Sequence, residues 1–252
     1  MPPKITVSVV SHNQGALVEN LLADIGRYVS MPVRVVLTVN IPEAGRNWSS
    51  ADFPFELEVT RNSIPKGFGE NHNAALARAR SDLFCVLNPD IRFTADPFPP
   101  LAALLMNSKI GVVAPAVTAP DLTPEDHARD FPSIFSLAAK AFGVRPHSRA
   151  PAGRVVFYPD WVAGMFMLFR TETLRAVHGF DERYFLYYED VDLCARLRKA
   201  DYEVAVCSDA SVIHAARRES RKNLRYAKWH LRSALRFFAS RPRVALGLGK
   251  ER

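Results

Sequence analysis

The chain has 252 residues, of which 48% are hydrophobic, and its mean hydropathy is −0.06. These values exclude a disordered chain and predict one large α/β domain, or one such domain with an appendage. The formal net charge of +7 favours anionic partners, namely nucleic acid, nucleotide phosphates or acidic lipid headgroups.

The cysteines and the N-terminal segment indicate the cellular compartment of the protein. Cys85, Cys194 and Cys207 form an odd count without CxxC spacing, so we expect neither a disulfide framework nor a zinc site. The start, MPPKITVSVV, lacks a charged segment followed by a long apolar one, and no later apolar run is long enough to span a bilayer. We therefore expect a cytoplasmic protein.

The first half of the chain alternates strand-like and helix-like patterns. Apolar or alternating runs predict strands at Ile5–Val10, Val33–Val39, Phe55–Val59 and Leu83–Leu87, and helical periodicity predicts helices at Ala16–Ile25 and Asn71–Ala79. This alternation implies right-handed crossovers and a mainly parallel sheet, in which ligands bind beyond the carboxyl ends of the strands. We expect three polar clusters to converge at that edge: Ser11-His12-Asn13, Asn40 and Asn88-Pro89-Asp90.

The second half is organised differently. From Thr118 to Gly153 the chain is rich in proline, charge and small residues, which is typical of a long functional or mobile connection. The apolar run from Trp161 to Phe169 predicts a strand that needs close backbone approach at Gly164. The remaining predicted elements are short helices at Ser133–Phe142 and Thr171–Val177, a helix at Glu189–Lys199 and a strand at Tyr202–Val206.

The most unusual stretch is GFDERYFLYYEDVDLCARL, from Gly179 to Leu197, which places five acidic residues in an aromatic run. Two interpretations fit it. Some of the carboxylates face an aromatic-walled cavity, where loss of water raises the carboxyl pKa and makes a usable base. Alternatively, the acids only complement the dipole at the start of a helix.

Three other clusters suggest ligand chemistry, and each has a plain structural alternative. Asp90 follows a buried strand, where its carboxylate suits a hard divalent cation, although Asn-Pro-Asp also favours turns. His214 precedes a basic cluster and would complete a mixed nitrogen and oxygen site beside Asp90. The turn from Lys66 to Gly69 lacks the spacing of a P-loop. Two interpretations fit it: the backbone amides at the start of the following helix bind a ligand, or the turn only begins that helix.

The C-terminal segment from Glu219 to Ala239 predicts a basic amphipathic helix. Its apolar face contains Leu224, Ala227, Leu231, Ala234, Leu235 and Phe238, and its basic face contains Arg221, Arg225, Lys228, Arg232 and Arg236. The helix either docks on the domain with a solvated basic face or contacts an anionic membrane surface, with Trp229 and Phe237 near its flanks.

In this order, the motifs resemble inverting glycosyltransferase family 2, especially its rhamnosyltransferase-like members with a GT-A fold. The matching segments are VSVVSHNQG from Val7, KGFGENHNAAL from Lys66, LNPDI from Leu87, DFPS from Asp130, WVAGMFMLFR from Trp161, the acidic run from Gly179 and VIHAARRES from Val212. The resemblance implies an α/β, Rossmann-like fold for nucleotide-diphospho-sugar transfer, with a mainly parallel central sheet and flanking helices. We expect a transferase domain at 1–218, with a nucleotide-binding half at 1–117 and an acceptor-binding half at 118–218, followed by the basic helix and tail at 219–252.

The resemblance also implies a reaction and a set of roles. A metal-dependent enzyme would move a sugar such as rhamnose from a dTDP- or UDP-linked donor to a hydroxyl of a glycan or lipid-linked glycan in cell-surface polysaccharide synthesis. Asp190 would be the base, and Asp90 and His214 would hold Mg²⁺ or Mn²⁺. The expected donor-binding residues are Ser11, Asn13, Asn40, Lys66, Gly67, Asn73, Asn88, Arg217 and Arg221, and the expected acceptor-side residues are Trp161, Gly164, Asp181, Tyr188 and Glu189.

Two departures from the family pattern stand out. Members of the family usually have an acidic residue after the second strand to read the nucleotide base, whereas Val39-Asn40 retains only the asparagine. The metal motif carries one acid, because Asn88 occupies the position of the other.

Three other classes compete with this interpretation. The missing acid favours a catalytically degenerate protein that binds glycans or acts as a scaffold. Nucleotidyl transfer would need a glycine-rich loop with basic residues near the first strand, and Ser11-His12-Asn13-Gln14 offers none. Nucleic-acid binding rests on charge alone, since no dedicated motif is present, so we expect no nucleic-acid partner. We expect the protein to lie in the cytoplasm or peripherally on the inner face of the membrane.

Overall fold

The computed structural model describes residues 4–43, 45–135, 155–215 and 224–241. Its strands are β1 Ile5–Ser11, β2 Val33–Val39, β3 Glu56–Arg61, β4 Leu83–Leu87, β5 Ile91–Arg92, β6 Ile110–Thr118, β7 Ala128–Arg129, β8 Val156–Phe157, β9 Trp161–Val162, β10 Phe166–Arg170 and β11 Glu203–His214. Its α-helices are α1 Gly15–Tyr28, α2 Phe68–Arg78, α3 Phe98–Leu104, α4 Thr171–Ala176, α5 Glu189–Lys199 and α6 Leu224–Ser240.

One large sheet organises the molecule. Its strand order is β3-β2-β1-β4-β10-β6-β11-β5, with β8 also paired to β11, and β7 and β9 form a separate small sheet. The strands β3, β2, β1 and β4 are parallel, as are β6 and β11, whereas β10 runs antiparallel between β4 and β6. The predicted halves, 1–117 and 118–218, therefore contribute strands to the same sheet.

Apolar side chains cover both faces of this sheet. The helix α1 packs Val18, Leu21 and Leu22 on one face, where they join the alternating inward residues of β1 and β2. On the other face, α5 packs Leu193 and Leu197 against β4, β6 and β10. Because helices cover both faces, the central strands are buried on both sides, which explains their continuous apolar sequences. The predicted α/β class with a mainly parallel sheet is confirmed.

Two predicted strands differ from the structure by more than two residues. The run from Trp161 to Phe169 is divided into β9, which pairs with β7 in the small sheet, and β10, which pairs with β4 and β6 in the large sheet, and residues 163–165 connect the two strands. The strand predicted at Tyr202–Val206 continues as β11 to His214, with an irregular register between Cys207 and Ser211. The predicted helix at Ser133–Phe142 lies mostly outside the described residues.

The C-terminal helix is docked by a face that overlaps only in part with the apolar face that its sequence predicts. Ser233, Ala234 and Phe237 are buried against the start of α5, whereas Leu231 and Leu235 are 61% and 62% exposed. The docked face is aromatic because Tyr188 and Tyr184 offer an apolar surface there. Within the described residues, no helix has the length and apolar character needed to cross a membrane.

Candidate active site

All three polar clusters predicted at the sheet edge contribute residues to one cleft of about 1060 Å³, although Ser11 does not line it. The parallel strands β1 and β4 deliver Asn13, Asn88 and Asp90 to this edge at their carboxyl ends. The antiparallel strand β10 begins at the same edge, and the Asn88 amide donates a hydrogen bond to the Met165 carbonyl at 2.9 Å. Strand direction thus brings distant segments of the chain to one opening.

Asp90 and His214 are neighbours because of strand pairing. In the pairing of β5 with β11, His214 lies opposite Ile91, and the Ala215 amide donates to the Asp90 carbonyl at 2.8 Å. The two side chains meet with 3.2 Å between His214 Nε2 and Asp90 Oδ2. Burial lowers the pKa of His214, but the hydrogen bond and charge of Asp90, together with the charge of Glu125, outweigh burial and raise it.

Asp190 and Glu189 reach the cleft from the first turn of α5. The preceding residues, Tyr187 and Tyr188, both have a left-handed backbone, with φ of 68° and 67°. Consecutive non-glycine residues in this region are costly, and such strain persists only where the surroundings impose it. Here the aromatic rings pack against α6, so tertiary contacts hold the turn that aims the two carboxyl groups into the cleft.

The two neighbouring carboxyl groups have different surroundings. Asp190 accepts hydrogen bonds from the amides of Gly164, at 3.0 Å, and Val191, at 2.8 Å. Burial raises the pKa of Asp190, whereas these amides and the Arg129 charge lower it. Burial raises the pKa of Glu189 well above its usual range, the Asp190 charge raises it further, and its buried Oε2 has no hydrogen-bond partner among the described residues.

The hydrogen bonds distinguish the two carboxyl groups. Two adjacent carboxylates in a low dielectric do not both ionise readily, and hydrogen-bond donors favour the charged form of the group that accepts them. Asp190 accepts two amide donors, whereas Glu189 Oε2 has no partner among the described residues, so the surroundings favour the charged form more at Asp190 than at Glu189.

Gly164 places a bare amide against Asp190. A Cβ atom at this position would lie 3.0 Å from the Phe68 ring, so a side chain would force that ring to move. The sequence predicts a close backbone approach at Gly164. In the structure the Gly164 backbone lies close to Phe68 of α2 and to the Asp190 carboxylate.

Asn40 and Lys66 also line the cleft, and they are bonded to each other. The Asn40 amide nitrogen donates to the Lys66 carbonyl at 3.0 Å, and the Lys66 amide donates to Asn40 Oδ1 at 2.8 Å. The Asn62 side chain donates to the same oxygen at 2.8 Å. Asn40 therefore holds the loop before α2, and the Lys66 ammonium group pairs with Glu70 at 2.9 Å.

Three residues predicted on the donor side, namely Ser11, Gly67 and Asn73, do not line the cleft. Ser11 is fully buried and donates its hydroxyl to Glu43. At Gly67 a Cβ atom would lie 3.0 Å from the Phe185 carbonyl, and that carbonyl already accepts the Phe68 amide at 2.9 Å. The start of α2 is thus occupied by protein, which leaves that amide unavailable to a phosphate.

Asn73 fastens α2 to the start of the acidic run. Its amide donates to the Phe180 carbonyl at 2.8 Å and its oxygen accepts the Phe180 amide at 2.8 Å. Gly179 has a left-handed backbone, with φ of 62°, and a Cβ atom there would collide with Asn73 Oδ1. Asn73 and Gly179 therefore stabilise this turn, and neither lines the cleft.

Three residues predicted on the acceptor side also lie away from the cleft lining. Asp181 forms an ion pair with Arg183 at 2.6 Å, which lowers the pKa of Asp181. Tyr188 is buried against Phe237 of α6. Trp161 donates its ring N–H to the Asp130 carbonyl at 3.0 Å. Arg217 and Arg221 are outside the described residues.

The structure adds cleft residues that the sequence analysis did not select. Glu43 and Arg46 lie beyond β2, and Tyr226 and Trp229 reach the cleft from α6 beside Phe185. The rings of Phe185 and Trp229 are 4.8 Å apart. The only sequence signal for Glu43 is its position shortly after the missing acid, and the aromatic residues of α6 resemble any helix packing face.

Comparison with known proteins decides the family. Residues 2–234 match the family described as "Glycosyltransferase like family 2". The chain belongs to this family. It is a glycosyltransferase, and the predicted resemblance to rhamnosyltransferases is confirmed by its relatives.

Two curated relatives are rhamnosyltransferases. The glycosyltransferase is 30% identical over 188 residues to "Rhamnosyltransferase WbbL" of Escherichia coli, covering 69% of this chain and 70% of the relative. It is 26% identical over 266 residues to "N-acetylglucosaminyl-diphospho-decaprenol L-rhamnosyltransferase" of Mycobacterium tuberculosis, covering 96% of this chain and 86% of the relative.

Solved structures confirm the GT-A fold. A mannosyltransferase of Pyrobaculum calidifontis in complex with GDP-Man and Mn²⁺ superposes with a TM-score of 0.67 at 18% identity, over 94% of this chain and 65% of that one. GalNAc-T7 with UDP, GalNAc and Mn²⁺ superposes with a TM-score of 0.72 at 14% identity, over 96% of this chain and 51% of that one. At these identities the likeness concerns the fold alone.

Proposed function

We propose that the glycosyltransferase is a metal-dependent inverting enzyme that transfers a deoxysugar such as rhamnose from a nucleoside diphosphate to a hydroxyl of a lipid-linked glycan. One observation carries this proposal: Asp190, with its two amide donors, and the Asp90–His214 pair line the same cleft. A single displacement at an anomeric carbon needs a base on the acceptor hydroxyl and charge relief on the departing diphosphate. The cleft supplies residues for both tasks.

Asp190 is the base in this proposal. Its carboxylate is held by two amides, and burial raises its pKa, so it accepts a proton more readily than an exposed aspartate does. The acceptor hydroxyl would lose its proton to Asp190 while its oxygen attacks the anomeric carbon. Because the attack comes from the face opposite the leaving diphosphate, the anomeric configuration inverts without a covalent enzyme intermediate.

The residues at the other side of the reaction suit a divalent cation. Asp90 Oδ1 is buried and has no hydrogen-bond partner among the described residues, and His214 supplies an imidazole nitrogen beside it. One carboxylate oxygen and one imidazole nitrogen form a donor set suited to Mn²⁺ or Mg²⁺. When bound, the ion would supply Lewis-acid stabilisation to the diphosphate.

Glu43 and Arg46 support the binding of a thymine or uracil base. The Glu43 carboxylate and the Arg46 guanidinium both lie close to Gly15, the first residue of α1. A Cβ atom at Gly15 would lie 2.7 Å from Glu43 Oε2 and 3.0 Å from Arg46 Nε. Ser11 fixes the other Glu43 oxygen. A carboxylate beside a guanidinium complements the N3–H and adjacent carbonyl of these bases, and Glu43 would replace the acid missing after β2.

Glu43→Gln should weaken the binding of dTDP and UDP by about fivefold to tenfold, because one charge-assisted hydrogen bond to N3–H becomes a neutral one. Titration calorimetry in the presence of Mn²⁺ measures this change. Glu56→Gln, at an exposed position on β3, is the matched control and should match the parent. Parent-like affinity in the Glu43 variant would remove Glu43 from base recognition.

The acceptor side supports a lipid-linked glycan. The aromatic residues Phe185, Tyr226 and Trp229 line the cleft near Asp190, and aromatic faces pack well against the C–H faces of sugars. The Mycobacterium tuberculosis relative carries a diphospho-decaprenol acceptor in its name. We place the enzyme on the cytoplasmic face of a membrane as a peripheral protein.

A transfer assay with the purified chain tests the proposed function. Incubation with dTDP-rhamnose, Mn²⁺ and N-acetylglucosaminyl-diphospho-polyprenol should yield a disaccharide lipid of inverted anomeric configuration, detected by mass spectrometry and NMR. UDP-glucose and GDP-mannose serve as competing donors, and EDTA should stop the reaction. No transfer from any of these donors, with the chain shown to be folded, would contradict the proposal.

A further inference from the structure

The helix α6 has two sides with different environments. On its inner side Ser233, Ala234 and Phe237 are buried, and the Ser233 hydroxyl donates to the Leu186 carbonyl at 2.9 Å. Trp229 and Tyr226, on the same side, reach the cleft. The inner side therefore forms part of the wall of the candidate active site.

The outer side of α6 carries leucines and cations. Leu231 and Leu235 are 61% and 62% exposed, and Arg225, Lys228 and Arg232 are also exposed. The helix contains no acidic residue between Leu224 and Ser240. Exposed leucines in a stripe of uniform positive charge are not expected on a face that meets only water.

Helical spacing places these residues in neighbouring rows. Leu231 and Leu235 are one turn apart, and Lys228 and Arg232 form a second pair one turn apart. Each basic residue precedes a leucine by three positions, so the rows lie side by side on one face. An interfacial helix has this arrangement, with leucines in the acyl boundary and cations among the phosphates.

We propose that this outer face, defined by Lys228, Leu231, Arg232 and Leu235, docks on an anionic lipid bilayer. Charge complementarity favours a bilayer over a second copy of the chain, because two such faces would bring like charges together. The lipid surface accommodates both kinds of side chain, since its headgroups are anionic and its interior is apolar. Together these residues provide the two signals that stable peripheral binding requires.

The docked helix would hold the cleft at the membrane surface. Trp229 faces the cleft from the same helix whose outer leucines enter the bilayer, so an acceptor anchored by a lipid would present its sugar beside Trp229. This role in presenting the acceptor sugar rests on the proposed lipid-linked acceptor, whereas docking of the helix on the bilayer does not.

Cosedimentation of the full chain with vesicles tests the inference. The parent should bind vesicles of equimolar POPC and POPG and should bind pure POPC weakly. Lys228→Ala with Arg232→Ala should lower the partition coefficient about thirtyfold, because each basic residue near an anionic surface contributes about fivefold. Leu231→Ser with Leu235→Ser should lower it by about tenfold or more.

Met106→Ser is the matched control, since Met106 is 85% exposed and lies outside α6. This variant should bind vesicles as the parent does, and all variants should bind UDP with Mn²⁺ equally well because their cleft is unchanged. Parent-like vesicle binding by both double variants would overturn the inference. So would a concentration-dependent dimer in the parent that both double variants lose, which would assign the face to a second copy.

The two proposals fail separately. A parent that binds vesicles but transfers no sugar would overturn the proposed function and leave docking supported. A parent that transfers rhamnose to a water-soluble acceptor but ignores POPG vesicles would overturn docking alone.

Discussion

Asp190→Asn should lower kcat by about 10²–10⁴-fold, the range typical of losing a general base. Asparagine has the same shape and still accepts one of the two amide hydrogen bonds, from Gly164 or Val191, so the fold should persist. Donor binding should be unchanged, because Asp190 acts on the acceptor hydroxyl. Steady-state kinetics with dTDP-rhamnose, together with calorimetry of dTDP binding, separate these two effects.

Asp181→Asn is the matched control for this prediction. Asp181 belongs to the same acidic run, but it pairs with Arg183 and does not line the cleft. Its variant should turn over at the parent rate. If the Asp190 variant retained the parent rate, or if the Asp181 variant lost activity equally, Asp190 would not be the base.

The pH dependence of kcat provides an independent check on Asp190. The base is active when ionised, and burial raises its pKa above the ordinary value of about 4. Activity should therefore be lost as pH falls through the raised pKa and recovered as pH rises above it. An acidic limb at or below the ordinary aspartate value would contradict the buried environment assigned to this group.

Asp90→Ala should abolish the metal dependence of nucleotide binding. The substitution removes the carboxylate and leaves His214 as the other predicted ligand, so dTDP binding in Mn²⁺ should weaken at least about tenfold, towards its affinity in EDTA. Calorimetric titration of dTDP with Mn²⁺, with Mg²⁺ and with EDTA measures the effect directly. Transfer activity should fall in parallel, because charge relief on the leaving diphosphate is lost.

Asp209→Ala controls for a general effect of removing a carboxylate, because Asp209 is exposed on β11 and lies outside the cleft. Its affinity for dTDP should equal that of the parent in every buffer. Identical dTDP affinity with Mn²⁺ and with EDTA in the parent itself would refute metal-assisted binding and the roles given to Asp90 and His214.

The elements of the first half were largely predictable from the sequence. Val33–Val39 and Leu83–Leu87 have the bounds that their apolar runs predict, since a strand buried on both faces has a continuous apolar sequence. The division between β9 and β10 was not predictable, because WVAGMFMLF is uniformly apolar. Its interruption at Gly164 depends on contacts with Phe68 and Asp190, which are distant in the chain.

Among the predicted site residues, several of those that follow parallel strands line the cleft. Asn13, Asn88 and Asp90 line the cleft because strand direction alone places them at one edge. Prediction was weaker around the start of α2, since Asn73 on this helix bonds the backbone of Phe180 and Gly67 lies against the Phe185 carbonyl. A polar side chain such as that of Asn73 can bond a ligand or a backbone group with the same chemistry, and only the neighbouring segment distinguishes these roles.

Local patterns and ordered motifs predict the α/β class, the resemblance to the family and the small set of acidic residues from which the base is drawn. Which acids of that run reach the cleft, which of them accepts two amide donors and which side of α6 is exposed all depend on tertiary structure. The physical reason is that burial, amide donors and packing partners come from distant segments. Asp190 and Asp181 are nine positions apart in one acidic run, yet only Asp190 meets Gly164 in the cleft.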